Sequence, residues 1–461
     1  MPVTRYHAEW AWLGASASTG PAAEVPATIE PADTGLAAEV LIEVTDGRFT
    51  EVAPGVRTVP PEAVRLPGLT LPGLADTHSH AFHRALRGRT HTGRGSFWSW
   101  RERMYAVAGR LDPDRYLALA RAVYAELALA GVTCVGEFHY LHHAPGGARY
   151  AEPNAMGAAL VEAARQAGIR ITLLDTCYLT AAVDGTGLDG VRLRFCDGDA
   201  DRWAERVDGF TPAGPHARLG AAVHSVRAVP AGQVPTVVDW AAAHHAPLHV
   251  HLSEQPAENE ACLAYHGVTP TALLAGAGAL GPRTTAVHAT HLTGADVAAL
   301  GGSRTGVCLC PTTERDLADG IGPGRALADA GSPVSLGSDS HAVIDLFEEA
   351  RAVELDERLR TGARGHFTAA ELLRAATSTG HAALGWDDAG VIAVGARADL
   401  VTVALDGVRL AGVPPAQAVY AATAADVRHV VVDGRPVVHD GRHVALDVPG
   451  ELRAAVTAVL G

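Results

Sequence analysis

The chain has 461 residues, 48% of them hydrophobic, which is ample for a large core, and a formal net charge of −14 at pH 7. An acidic surface argues against nucleic acid or an anionic membrane as the main partner, although arginines in a pocket can reverse the local field for an anionic small molecule. No basic segment leads into an apolar run at the N-terminus, and no stretch approaches ~18 uninterrupted apolar residues, so a cytoplasmic protein without signal peptide or transmembrane helix is expected.

Residues 1–68 include "AEVLIEVTDGRFTEVAPG", which alternates like a strand pair around a turn at Asp46-Gly47. From 69 to about 340 eight short apolar or β-branched segments follow: "LTLPGLADTHSH", "VTCVGEFHY", "RITLLDTCYL", "RLGAAVHSV", "APLHVHLSE", "TTAVHATHL", "RTGVCLCPTTE" and "SPVSLGSDS". Ala/Leu-rich stretches with helical spacing separate most of them, such as "DRYLALARAVYAELALAG" and "EPNAMGAALVEAARQAG", each ending at a glycine. Eight such units predict an α/β fold, a (β/α)8 TIM-like barrel over 69–385, with a doubly wound sheet as the alternative. Residues 386–461 are again β-like, with turns at Asp433-Gly434 and Asp440-Gly441, and with 1–68 they predict one small β-sandwich domain built from both termini. The six scattered cysteines read as buried free thiols.

Seven of the eight segments carry polar residues at their C-terminal ends: His78/His80, Glu137/His139/Tyr140, His224/Arg227, His249/His251/Glu254, His288/His291, Thr312/Thr313/Glu314 and Asp339. In a barrel these ends converge on one face. Residues two apart on a strand point the same way, so His78 and His80 can share a metal, with His251 and Asp339 as the best third and fourth ligands. His249 could also face inward, and Glu254, three residues further on, favours His251. Nitrogen-rich ligation with one carboxylate suits zinc or a similar divalent ion such as iron. A bound metal lowers the pKa of water to about 7, making hydroxide at neutral pH. Asp339 can take the first proton, Glu254 can carry one to a leaving nitrogen, and His288 can donate to developing charge. The plainer readings are a helix N-terminal carboxylate for Glu254 and a core histidine for His288. His142–His143 and His244–His245 read as ordinary loop or helix residues.

"DTHSHAF", "HVHLSE", "VHATHL" and "LGSDS" resemble the amidohydrolase superfamily, over nearly the whole chain. Within it "FWSWRERMY", "VGEFHYLHH" and "AVHSVRAV" resemble the formimidoylglutamate deiminases, and these three are more specific than the metal motifs, which guanine, cytosine and adenosine-type deaminases share. The resemblance implies hydrolysis of N-formimidoyl-L-glutamate to N-formyl-L-glutamate and ammonia in histidine degradation. It implies His78, His80, His251 and Asp339 as ligands, Glu254 and His288 as catalytic, and Arg101, Tyr140, His224 and Arg227 as substrate contacts. His83, a further candidate contact, stands where that family usually has glutamine, and an imidazole bonds with a geometry unlike an amide's.

The residues agree with a dicarboxylate. Arg227 closes the fourth segment and Arg101 lies between Trp98 and Trp100 in a loop, roughly 81–111, long enough to close as a lid. The alternative for either arginine is a surface residue. Binuclear relatives bridge their metals with a carboxylated lysine; this chain has no lysine, so one metal is expected. A homodimer is expected. The rival functions are another deaminase of the superfamily, acting on a nucleobase or related substrate, and a non-catalytic scaffold that kept the barrel.

Overall fold

The computed structural model describes residues 3–14, 35–91 and 97–461. The N-terminal unit expected at 1–68 is therefore described except for 1–2 and 15–34, and 92–96 on the way to Arg101 also lie outside the described residues.

The chain opens with β1 (Thr4–Trp12), β2 (Leu36–Thr45), β3 (Arg48–Ala53) and β4 (Val64–Pro72). In β2 every second residue from Val40 to Val44 is buried, the period of a strand with one face on a core. Its hairpin to β3 turns at Asp46 and Gly47, with φ of 53° and 75°, the geometry an Asp-Gly pair provides.

Eight strands follow in parallel: β5 (Leu74–Ser79), β6 (Val132–His139), β7 (Arg170–Cys177), β8 (Ala217–Val223), β9 (Leu248–Leu252), β10 (Thr284–His288), β11 (Gly306–Leu309) and β12 (Val334–Leu336). Each coincides with one of the eight predicted segments, β8 starting one residue before its own. β5, β6, β7, β9 and β10 are buried along their whole length, as strands covered on both faces are. The helices between them start and stop on local signals. Asp112 caps Pro113–Leu129 by accepting from the Arg115 amide, and Gly168, at φ 78°, ends Ala155–Ala167. The ring closes where Ser79 bridges Asp339: the Asp339 amide donates to His78 O at 2.9 Å and the His80 amide to Asp339 O at 3.2 Å.

The last strands are β13 (Leu400–Val403), β14 (Val427–Val432), β15 (Arg435–His439) and β16 (Arg442–His443), and a helix at Val448–Leu460, where only β structure was expected, ends the chain. These strands join the first four in one sheet, ordered β16-β15-β14-β13-β4-β1-β2-β3. The fold is a (β/α)8 barrel with a small β-sandwich domain built from both termini.

Two further details differ from the sequence reading. The first expected barrel segment is two strands: Leu69–Pro72 pair with β13 in the outer sheet, and the barrel begins only after Gly73. A Cβ at Gly73 would overlap the side chains of Thr133 and Asp399, and no polar residue marks the change of sheet. The stretch expected as a loop is largely helical, with a 3-10 helix at Ala81–Leu86 and an α-helix at Phe97–Ala108 that carries Arg101. All six cysteines are free. Among the described residues no helix is long and apolar enough to cross a membrane.

Barrel and outer sheet are tied by a buried ion pair. Arg170, opening β7, donates to Asp399 Oδ1 at 3.0 Å and to Asp433 Oδ1 at 3.1 Å, and the Asp433 amide donates to Asp399 at 3.0 Å. Burial pushes the Asp399 carboxyl up, but Arg170 outweighs it and holds the group below its ordinary range. Arg170→Met leaves that carboxylate buried without a counter-charge and should lower unfolding free energy by ~3–5 kcal/mol in urea denaturation. The folded pKa of Asp399 is depressed, so the wild-type contribution is present above the unfolded carboxylate value, ~3.9, and is lost as pH falls through the folded one. The variant should lack that acid-dependent limb.

Candidate active site

The end of β5 brings His78 and His80 to the top of the barrel, β9 brings His251, and the loop after β12 brings Asp339; all four are buried. His78 Nε2 and His251 Nε2 are 3.1 Å apart, and Asp339 Oδ1 lies 3.4 Å from His78 Nε2 and 3.5 Å from His80 Nε2. Two rings are locked from behind. His80 Nδ1 donates to Phe138 O at 3.0 Å and His251 Nδ1 to His224 O at 2.9 Å, so each Nε2 turns its lone pair inward. Burial lowers the pKa of His78, and those of His80 and His251 well below the ordinary value, keeping the rings neutral. Lone pairs and a carboxylate directed at one small space repel unless a cation sits among them. The donors fit one divalent ion: three imidazole nitrogens and one carboxylate oxygen.

Behind this cluster stand Glu254 and His288. His288 Nε2 lies 3.6 Å from Asp339 Oδ2 and 3.9 Å from Glu254 Oε1, and its Nδ1 bonds Glu314 Oε1 at 3.3 Å. Burial alone would depress the His288 ring, yet Glu254, Glu314 and Asp339 hold its pKa well above the usual value. Burial pushes the Glu254 carboxyl up to about 7, with His288 opposing and Asp339 adding. The carboxylate in the first turn of helix Pro256–His266 is Glu258, not Glu254. Backbone strain gathers here as well: Ser253, His288, Ala289 and Asp339 have φ of 51°, 68°, 52° and 44°.

A cavity opens outward from the cluster, and Arg101, Arg227, Tyr140, His83 and His224 all line it. His83 Nε2 and the Tyr140 hydroxyl bond at 2.9 Å, and the Tyr140 hydroxyl also reaches Met104 Sδ at 3.6 Å. Burial pushes the His83 ring down to about 3, so it is neutral. Arg227 Nη1 donates to the Tyr178 hydroxyl at 3.4 Å, and the Arg101 guanidinium sits 5.5 Å over the Tyr105 ring. The candidate ligands, proton carriers and substrate contacts all line this cavity except His78, which sits just behind it against His251 and Asp339.

Other histidines stay apart. His249 bonds Ala383 O at 3.0 Å and His291 bonds Asp319 O at 2.7 Å, both through Nε2. His244 stacks on Trp240, at 4.2 Å between centroids. His142 and His143 are fully buried rather than loose loop residues. With His139 they adjoin Asp175 and Asp197, where Arg206 donates to both carboxylates. His139, His142 and Asp175 are close enough to hold a metal, but Arg206 already supplies their cation. The sequence reading gave no role to Glu314, although it stood at a strand end, and it overlooked Tyr105 and Tyr178. Tyr178 stands near the end of the one segment for which no polar terminus was named.

Residues 69–437 match the amidohydrolase family. The chain is 37% identical over 439 residues to a formimidoylglutamate deiminase of Pseudomonas aeruginosa, covering 91% of this chain and 94% of that protein. It is 31% identical over 445 residues to an 8-oxoguanine deaminase of the same species, covering 92% and 96%. Among solved structures, an amidohydrolase from Brucella melitensis superposes with a TM-score of 0.87 at 30% identity, covering 99% of this chain and 100% of that one.

With four converging donors and no lysine to bridge a second ion, elemental analysis should find about one tightly bound metal per chain. His251→Ala should lower occupancy by ~10-fold or more at limiting metal. Two equivalents, both needed for activity, would refute the single site.

Proposed function

Because this chain belongs to the amidohydrolase family and is a hydrolase of C–N bonds, we propose that it deiminates N-formimidoyl-L-glutamate to N-formyl-L-glutamate and ammonia in histidine degradation. The observation that carries the proposal is the polarity of the cavity. Arg101 and Arg227 line it together with Glu254 and Asp339. The substrate has the matching charge pattern, an amidinium at one end and two carboxylates at the other. A buried carboxylate needs a charged or multiply donating partner, and a guanidinium fork supplies both. A neutral nucleobase would not need two arginines.

A divalent ion held by His78, His80, His251 and Asp339, zinc on this donor set or else iron, would supply hydroxide at neutral pH. The chain's own groups handle the protons. Asp339 Oδ2, 3.6 Å from His288 Nε2, takes the first one. Glu254, with its carboxyl near 7, both accepts and releases a proton at neutral pH and passes one to the departing nitrogen. His288, kept cationic by three carboxylates, steadies charge developing at the attacked carbon's substituent. One water enters and one ammonium leaves. Tyr140, His83 and His224 shape the wall between the two charged ends. A cytoplasmic homodimer is part of the same proposal.

Arg101→Met and Arg227→Met should each depress kcat/KM for formimidoylglutamate by ~30-fold or more with metal retained, since a lost charged partner of a buried carboxylate costs ~2–5 kcal/mol. Efficient wild-type deamination of guanine or cytosine, with both arginine variants fully active on formimidoylglutamate, would replace the dicarboxylate reading with the nucleobase one. Glu254→Gln should keep its metal while turnover falls ~10²-fold or more. Loss of metal in that variant would instead make Glu254 a ligand.

A further inference from the structure

Two guanidinium groups facing one cavity repel each other before any anion arrives. Something has to hold them in place at a fixed distance against that repulsion, and two tyrosines are positioned to do so. The Arg101 guanidinium lies 5.5 Å over the Tyr105 ring, one turn further along the same helix. The Tyr178 hydroxyl accepts from Arg227 Nη1 at 3.4 Å. Tyr105 and Tyr178 both pack on Phe195, at 6.1 and 5.4 Å between centroids, so the two pairs of cation and phenol, one from the helix and one from the barrel, share one wall of the cavity. Tyr178 cannot swing: it is 3% exposed, and its ring packs against His224 at 4.3 Å and Phe195 at 5.4 Å between centroids.

We infer that the Tyr105–Tyr178 pair is a spacer that sets the gap between the Arg101 and Arg227 guanidinium groups, and so selects the length of the dicarboxylate the cavity accepts. The inference rests on the dicarboxylate reading above. The tyrosines act through the arginines as positioning residues. Their removal should blur discrimination by chain length, whereas removal of an arginine abolishes anion binding at one end.

The test measures binding of succinate, glutarate and adipate to metal-replete protein by calorimetry, beside turnover of formimidoylglutamate and of its aspartate analogue. Wild type should bind glutarate at least ~10-fold more tightly than the shorter or longer diacid. Tyr178→Phe, which removes one oxygen, should bring the three within ~3-fold and raise KM for formimidoylglutamate more than it lowers kcat. Tyr105→Leu should do the same, while Tyr105→Phe keeps the ring under Arg101 and should retain most of the preference. An unchanged length profile in folded, metal-bound Tyr178→Phe overturns the spacer and leaves the proposed function standing if wild type still turns over formimidoylglutamate. Wild-type protein that neither binds diacids nor deiminates formimidoylglutamate overturns both.

Discussion

The molecule depends on the contact that closes its barrel. β12 is short, and the last link to β5 is made by the residues just beyond it, through the paired hydrogen bonds of Asp339 with His78 and His80. Closing the ring and assembling the donor cluster are therefore one event. Two buried carboxylates brace the joint. Asp76 accepts from the Ser338 amide at 2.8 Å, and Glu137 accepts from the Ser79 hydroxyl at 2.9 Å and the Ala81 amide at 2.8 Å. Each holds backbone next to a donor residue, which is how a rigid scaffold keeps side chains in register for chemistry.

Around that joint the cavity separates charge. Carboxylates and imidazoles crowd the barrel end, arginines the outer end, and aromatic rings fill the space between. In surroundings this dry, each group feels its neighbours strongly, which is why His288 and Glu254 depart so far from ordinary behaviour. An acidic protein overall can thus present a strongly cationic patch to a small anion, because the field that matters is set by the nearest few side chains.

Much of this was legible in the sequence, for reasons that are local. The two-residue period put His78 and His80 on one face, and the Asp-Gly pairs at 46, 433 and 440 named turns whose φ values are positive at both positions. Eight segments, seven of them with polar ends, implied a barrel and the face that bears its site. What stayed hidden depends on tertiary context. A run of apolar residues interrupted only by Thr70 concealed the passage at Gly73 from one sheet to the other. His249 and His251 share a face by period alone, and only the depth of each in the barrel separates them. Tyr105 sits on a helix that the sequence read as loop, and Tyr178 lies near the end of a segment whose last residues, Cys177 to Leu179, carry no charge to draw attention. The left-handed backbone at His288 and Asp339 has no signature in residue type, since glycine would be the usual choice there.

The pairing of β4 with β13 and of β5 with the residues after β12 also orders events in time. A ribosome releases the chain N-terminus first, so β5 emerges with His78 and His80 long before Asp339 exists to meet it. At ~5–20 residues per second that interval is on the order of tens of seconds. For its duration two donor histidines and an open strand edge are exposed on a half-made ring. Neither the donor cluster nor the outer sheet can be completed until most of the polypeptide is free, so the finished fold arises only late in translation.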